Sequence, residues 1–152
     1  MAESFESCLM RWKFRLFPCY RGTGARVRYV AADFREIRVE IPLSWRTSNY
    51  VGTIFGGSMF GAADPIFMLM LIHILGDGYT VWDKAGSVRF LKPGRTTFFG
   101  TFVVDEATTG EIVASLETER SIDRHFRVDL VDADGVLHAE IEKTIFIKKK
   151  VN

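Results

Sequence analysis

The ten residues from Ile66 to Leu75, IFMLMLIHIL, carry a single polar side chain, His73. A helix that is apolar on every side must be buried on every side, so whatever this chain folds into has to wrap around that segment. Before it come Met59, Phe60, Ala62 and Ala63, then Asp64-Pro65, and earlier still the glycine-rich entry Gly52-Thr53-Ile54-Phe55-Gly56-Gly57. Glycine has no side chain to hold a ligand away, so the entry lets backbone approach one closely. A membrane span competes, because Ile54 to Leu75 approaches the roughly 20 apolar residues a bilayer needs. An ionised Asp64 at the bilayer centre would cost several kcal/mol, at least ~2.5, which weighs against the span.

Two readings of Asp64 stay open on the sequence. Asp64 can be an N-cap with Pro65 as the first helical residue, a pairing that helix-start rules favour and that needs no chemistry. Alternatively the helix starts near Gly57, its free backbone NH groups face a ligand carbonyl, and Asp64 follows about two turns later. The second reading makes Pro65 a kink that frees the carbonyl of Gly61.

A chain of 152 residues suits one domain, here 1–152, with a sizeable core. Twenty basic against nineteen acidic residues leave a net charge of +1, which gives no general attraction to nucleic acid or to a membrane. Cys8 and Cys19 lack metal-ligand spacing and read as ordinary thiols. Glu3, Glu6, Arg11, Lys13 and Arg15 interrupt the apolar positions near the start, so no secretory signal is read and a cytoplasmic location is the expectation.

Phe5, Leu9, Trp12 and Leu16 recur at helical spacing and predict an amphipathic helix over about 3–17, lying on the domain. Two strands with one polar face follow, around Val27 and Tyr29 and then Ile37, Val39 and Ile41. Arg46 and Asn49 precede the glycine-rich entry and can both hydrogen-bond a ligand, although a structural role for Arg46 is at least as well founded. Gly76-Asp77-Gly78 stops the helix. Ser87 to Leu91 reads as a strand, and Thr96 to Val104 as a central strand buried on both faces. Arg89, Lys92 and Arg95 cluster around the turn between them, where they can meet the phosphates of a nucleotide-bearing substrate or simply be solvated. Thr108 to Glu111 fits a capping box for a helix over about 109–117. A strand through Phe126, Val128 and Leu130, a turn at Asp132 to Gly135 and a return strand from Val136 to Lys148 close the chain. The sum is an α+β fold: about six mostly antiparallel strands wrapped around one long apolar helix. One such sheet leaves an edge strand and part of the helix uncovered, which dimerisation would cover.

The run Asn49-x-x-Gly52-Thr53-x-x-Gly56-Gly57-x-x-Phe60-x-x-Ala63-Asp64 resembles the motif of phenylacetyl-CoA-type thioesterases in the hotdog-fold superfamily. The order of elements agrees from about Val27 to Lys148. The N-terminal helix, the stretch Asn49 to Gly57, and the pieces Asp83-Lys84-Ala85 and Lys92-Pro93-Gly94-Arg95 look like a bacterial branch of this superfamily known only as a domain of unknown function. The resemblance implies a hotdog domain that hydrolyses an acyl-CoA thioester to a carboxylic acid and free coenzyme A. Asp64 would act as general base or nucleophile, Asn49 would orient water or carbonyl, and the NH of Gly57, with Gly56 beside it, would form the oxyanion hole. Thr53, Phe55 and Phe60, with Arg89, Lys92 and Arg95, would bind the substrate. Asp64 is expected to lie buried among Met59, Phe60, Phe67 and Met68, with Phe60, Phe67, Met68 and Met70 as a hydrophobic acyl pocket. The resemblance needs no metal and no cofactor beyond the coenzyme A of the substrate, and it implies a homodimer or dimer of dimers with a small-molecule acyl thioester as partner. Phe55 stands where the motif has histidine, and Val51 where another often sits, so the polar groups around the carbonyl are fewer. The alternative is a non-catalytic hotdog module that binds acyl thioesters or small apolar ligands, or serves as an oligomeric scaffold.

Overall fold

The computed structural model describes residues 3–150. Six antiparallel strands form one sheet in the order β1-β2-β4-β5-β6-β3. In chain order they are β1 (Arg26–Val30), β2 (Glu36–Ile41), β3 (Tyr79–Phe90), β4 (Phe98–Val103), β5 (Ile122–Val131) and β6 (Leu137–Lys149). The helices are α1 (Phe5–Leu16), α2 (Pro18–Gly22), α3 (Gly56–Ala63), α4 (Ile66–Leu75) and α5 (Glu106–Ser115). Helices α3 and α4 run on through Asp64 and Pro65, both in right-handed helical conformation, and form the apolar rod against which the sheet packs. Their Ala62, Ala63, Ile66, Phe67, Met70 and Leu71 are buried against strand residues such as Ile37, Ile41, Phe98, Phe102 and Ile141. The 20-residue segment Gly56–Leu75 is long and apolar enough to cross a membrane. Here it is the helix of a packed layer, bent at Pro65.

Four expectations from the sequence change. Strand β3 begins at Tyr79 rather than near Ser87, because a bulge at Lys84 lets the strand continue past two charged residues: Asp83 lies opposite Ile145 and Ala85 opposite Thr144. Strand β4 is central but buried on one face only, with Phe98, Gly100 and Phe102 inward and Phe99 and Val103 exposed. Helix α5 starts earlier than expected, because Asp105 rather than Thr108 is its cap: Asp105 accepts the Thr108 NH at 2.7 Å. Most notably, α1 buries Ser7, Met10 and Phe14, while the expected apolar stripe of Phe5, Leu9, Trp12 and Leu16 faces outward. Met10 and Phe14 sit on the opposite side of the helix from that stripe, and they are the side chains that reach the core.

The hydrogen bond from Thr108 holds the Asp105 carboxyl below its ordinary value. A depressed carboxyl contributes stability that is present above the ordinary carboxylate range and is lost as pH falls through the depressed value. Asp105→Ala is therefore expected to be less stable than the parent chain at neutral pH, with the difference closing in strong acid, as read from urea unfolding at a series of pH values.

Candidate active site

Asp64 lies at the end of α3, its NH bonded to the Phe60 carbonyl at 2.9 Å, and makes no N-cap bond to the helix that follows. The helix starts at Gly56 instead, so the capping reading is overturned and the kinked-helix reading holds. The kink follows from Pro65, which has no NH to return to the carbonyl of Gly61. Phe60, one turn before Asp64, packs toward strand β6.

There the chain places a residue that the motif reading overlooked. Along β6 the inward row is Ala139, Ile141, Lys143, Ile145 and Ile147, all buried. Lys143 is thus a cation in an otherwise aliphatic row, with its side chain only 2% exposed. Its Nζ donates to Asp64 Oδ1 at 2.5 Å and lies 3.0 Å from Asp83 Oδ1 on β3. The Asp83 contact is at ion-pair distance but off hydrogen-bond direction, and Asp83 Oδ1 is otherwise buried without a donor. The Phe60 ring covers the ammonium at 5.2 Å. Gly86, opposite Lys143 in the ladder, makes room: a Cβ there would stand 2.9 Å from the Phe60 ring and 3.1 Å from Lys143 Cδ. Period-two alternation over residues 139–147 was the available signal for Lys143.

Asp64 itself is 48% exposed, not buried as expected, because it sits on the helix flank at the edge of the core. Its Oδ2 has no protein partner among the described residues. Burial pushes the Asp83 carboxyl above its ordinary value; the Lys143 ammonium pulls it down and the Asp64 charge adds to the rise.

The entry loop is a closed turn. Asn49 Oδ1 accepts the NH groups of Val51 and Thr53 at 3.1 and 3.0 Å, and its Nδ2 donates to Thr53 Oγ1 at 2.8 Å. The Asn49 and Thr53 side chains thus shape the loop, and Arg46 likewise donates to the Arg21 carbonyl. Gly56 and Gly57 open α3 with no side-chain cap. Their missing side chains are filled by aromatic rings: a Cβ on Gly56 would stand 2.5 Å from the Phe90 ring and one on Gly57 2.3 Å from Phe55. Both rings are more than half exposed. The basic turn is tied to the segment before this helix through Ile54 NH to the Gly94 carbonyl at 2.8 Å, with Lys92 and Arg95 on either side of Pro93-Gly94 in the chain. Arg89 instead pairs with Glu140 at 3.4 Å. Of the expected acyl pocket, Phe67 and Met70 are core residues, 1% and 0% exposed, and only Phe60 and Met68 remain near the surface. His73 stacks on Phe34, and His138 meets Asp132, both away from Asp64.

A six-stranded antiparallel sheet packed around one long helix with a glycine start is the hotdog fold. The chain belongs to the family described as domain of unknown function DUF4442, whose model matches residues 7–147. No curated protein matches the sequence. Among solved structures it is similar to a protein of unknown function from Pseudomonas aeruginosa, described as a probable thioesterase. That match has 14% identity and a TM-score of 0.82, covering 97% of this chain and 98% of that one. A Haemophilus influenzae thioesterase matches at 14% identity and TM-score 0.70, covering 99% and 95%. A hypothetical thioesterase from Streptococcus pneumoniae, solved with coenzyme A, matches at 18% identity and TM-score 0.57, covering 84% and 88%.

Removing one partner of a buried charge cluster strands the others. Lys143→Met is expected to lower stability at neutral pH in urea unfolding, by less than the ~3–5 kcal/mol of a fully buried pair, because Asp64 is half-exposed and Asp83 is partly exposed. The cost should shrink in acid: once pH falls below the raised Asp83 value, that carboxyl takes up a proton and no longer lacks a counter-charge.

Proposed function

We propose that this chain is an acyl thioester hydrolase that releases a carboxylic acid and free coenzyme A, working as a homodimer or dimer of dimers. The observation that carries the reading is a half-exposed carboxylate, Asp64, held by the buried ammonium of Lys143 on β6 and carried on a helix whose glycine start leaves the NH groups of Gly56 and Gly57 without a partner among the described residues. In this reading Asp64 takes the proton from a water as its oxygen attacks the thioester carbon. The Gly57 NH, with that of Gly56, stabilises the oxyanion, and collapse breaks the C–S bond and expels the thiolate, which is then protonated. Direct attack by the carboxylate on the carbonyl is the variant form of the same proposal. Asn49 supports the loop that presents the helix start. Phe55 and Phe90 lie on that start, and the turn that carries Lys92 and Arg95 is hydrogen-bonded to Ile54 just before it, where the nucleotide half of coenzyme A would be received. Solved relatives described as thioesterases, one of them holding coenzyme A, support the assignment of ligand class.

The ion pair between Asp64 and Lys143 favours one other reading, a module that binds acyl thioesters without cleaving them, since one carboxylate oxygen is already held by the ammonium. One assay separates the two. Thiol release is measured for short, medium, long and aromatic acyl-CoA esters with the native chain and Asp64→Asn. Hydrolysis that falls at least about a hundredfold in a folded Asp64→Asn protein is the expected result. Stabilisation by acyl-CoA without cleavage would establish the binding module instead. A monomer by light scattering would count against both.

A further inference from the structure

Helices α1 and α2 do not merely cap the sheet; between them and the bent α3–α4 rod lies a groove of about 480 Å³ whose wall is almost entirely carbon. The chain builds this space actively. Phe17 is extended between the two helices and Pro18 starts the second, so α2 turns away from the line of α1. Tyr20 then stands edge-on to Phe14 at 4.7 Å and donates its hydroxyl to the Ala62 carbonyl at 3.2 Å, which pins α2 to the rod. Phe14, Phe17 and Tyr20 form one wall, and Met68 and Leu69, one turn past the kink, form the other. Asp64 lies on the same wall as Met68, at the point where the groove meets the Lys143 cluster. The carboxylate therefore has an ammonium on one side and an apolar trough on the other.

We propose that this groove is an acyl-chain subsite, and that the substrate class is aliphatic acyl thioesters of medium chain length. The proposal rests on the hydrolase reading for the chemistry at Asp64, and on the groove itself for the chain. A thioester has one strongly polar half and one apolar half, and the groove is continuous with the carboxylate that the ester carbonyl must reach. Its volume falls within the range of small-molecule sites, roughly 300–1,000 Å³. Its wall offers little for a polar ligand to bond, and a flexible methionine adapts to a flexible chain. Lys13, an exposed residue, also lines the groove, where an aliphatic stem can cover apolar surface. The expected acyl pocket of Phe67 and Met70 is closed core, so the chain must find its room elsewhere, and this trough meets Asp64.

The test compares butyryl-CoA with decanoyl-CoA on the native dimer, on Met68→Trp, which fills the groove, and on Phe17→Ser, which removes an exposed piece of its wall. Burial of the extra methylenes predicts a native preference for decanoyl-CoA, by up to about fourfold in kcat/KM per methylene buried. Both variants are expected to lower the decanoyl-to-butyryl ratio of kcat/KM about tenfold while melting within a few degrees of the parent. An unchanged ratio in both variants overturns the proposal. Because Phe17 is already largely exposed, its substitution keeps the test valid should Met68→Trp fail to fold. If no ester is cleaved, calorimetry with the non-hydrolysable decanoyl and butyryl thioethers of coenzyme A reads the same ratio as Kd. Chain-length preference lost in the variants then supports the groove although hydrolysis fails, and equal Kd values refute the groove. A change of oligomeric state in Phe17→Ser or Met68→Trp by light scattering would show that a second copy of the chain fills the trough, and would also refute it.

Discussion

The structure around the candidate site depends on one condition: the ammonium of Lys143, set in a row of buried aliphatic side chains, must have counter-charges within reach. It takes them from two separate elements, Asp64 on the helix and Asp83 on the edge strand β3. That fixes the helix against the sheet more narrowly than apolar contacts would, since oil-like surfaces slide and ion pairs at about 3 Å do not. It also explains two residues with no obvious chemistry. Gly86 leaves the space that the lysine stem and the Phe60 ring share, and the bulge at Lys84 turns Asp83 inward in a strand that would otherwise present it to water. A buried ion pair rarely adds net stability over well-packed apolar residues of the same volume. What a lysine does here that a methionine could not is hold Asp64 Oδ1 and leave Oδ2 facing outward.

The sequence made the fold legible because its strongest signal was also its most restrictive one. A helix without a polar face requires a sheet to wrap it, and the period-two pattern of the remaining segments supplied the strands. Asp64, Gly56 and Gly57 were legible because their spacing matches a known motif. Lys143 was not, although Ala139, Ile141, Lys143, Ile145 and Ile147 alternate plainly; a strand with charges on both faces near a basic end reads as a solvated terminus until the inward row is counted. Asn49 was legible as a polar residue at the right place but not as a closed turn, because only the fold shows that Thr53 and Val51 already occupy its amide.

Helix α1 marks a different limit. Spacing correctly predicted a helix, but it pointed to the stripe of Phe5, Leu9, Trp12 and Leu16 as the covered face, and the domain covers the other one. Phe5, Leu9, Trp12 and Leu16 outnumber Met10 and Phe14, yet the smaller pair meets the core, on the face that buries Ser7 and packs against β1. Amphipathic periodicity reports the shape of a helix surface, and the partner surface decides the rest.

The length of helix between its glycine start and Asp64 sets a geometric requirement on any chemistry here. Gly57 and Asp64 are seven positions apart, about 10 Å along a helix axis. An oxyanion donor and a base that serve one carbonyl must each come within about 3 Å of their atoms. A base that acts through a bound water adds one more hydrogen-bond length to that reach, and an Asp side chain leans toward the N-terminus of its helix, so the water and the carbonyl together must fill the space between the two groups. Strand β3 is an edge strand of 12 residues, paired among the described residues only to β6, with Trp82 and Phe90 exposed along it. The same strand carries Asp83, whose carboxylate faces Lys143, and Phe90, whose ring lies on Gly56. Anything that shifts this edge strand therefore bears on the charge cluster and on the helix start together.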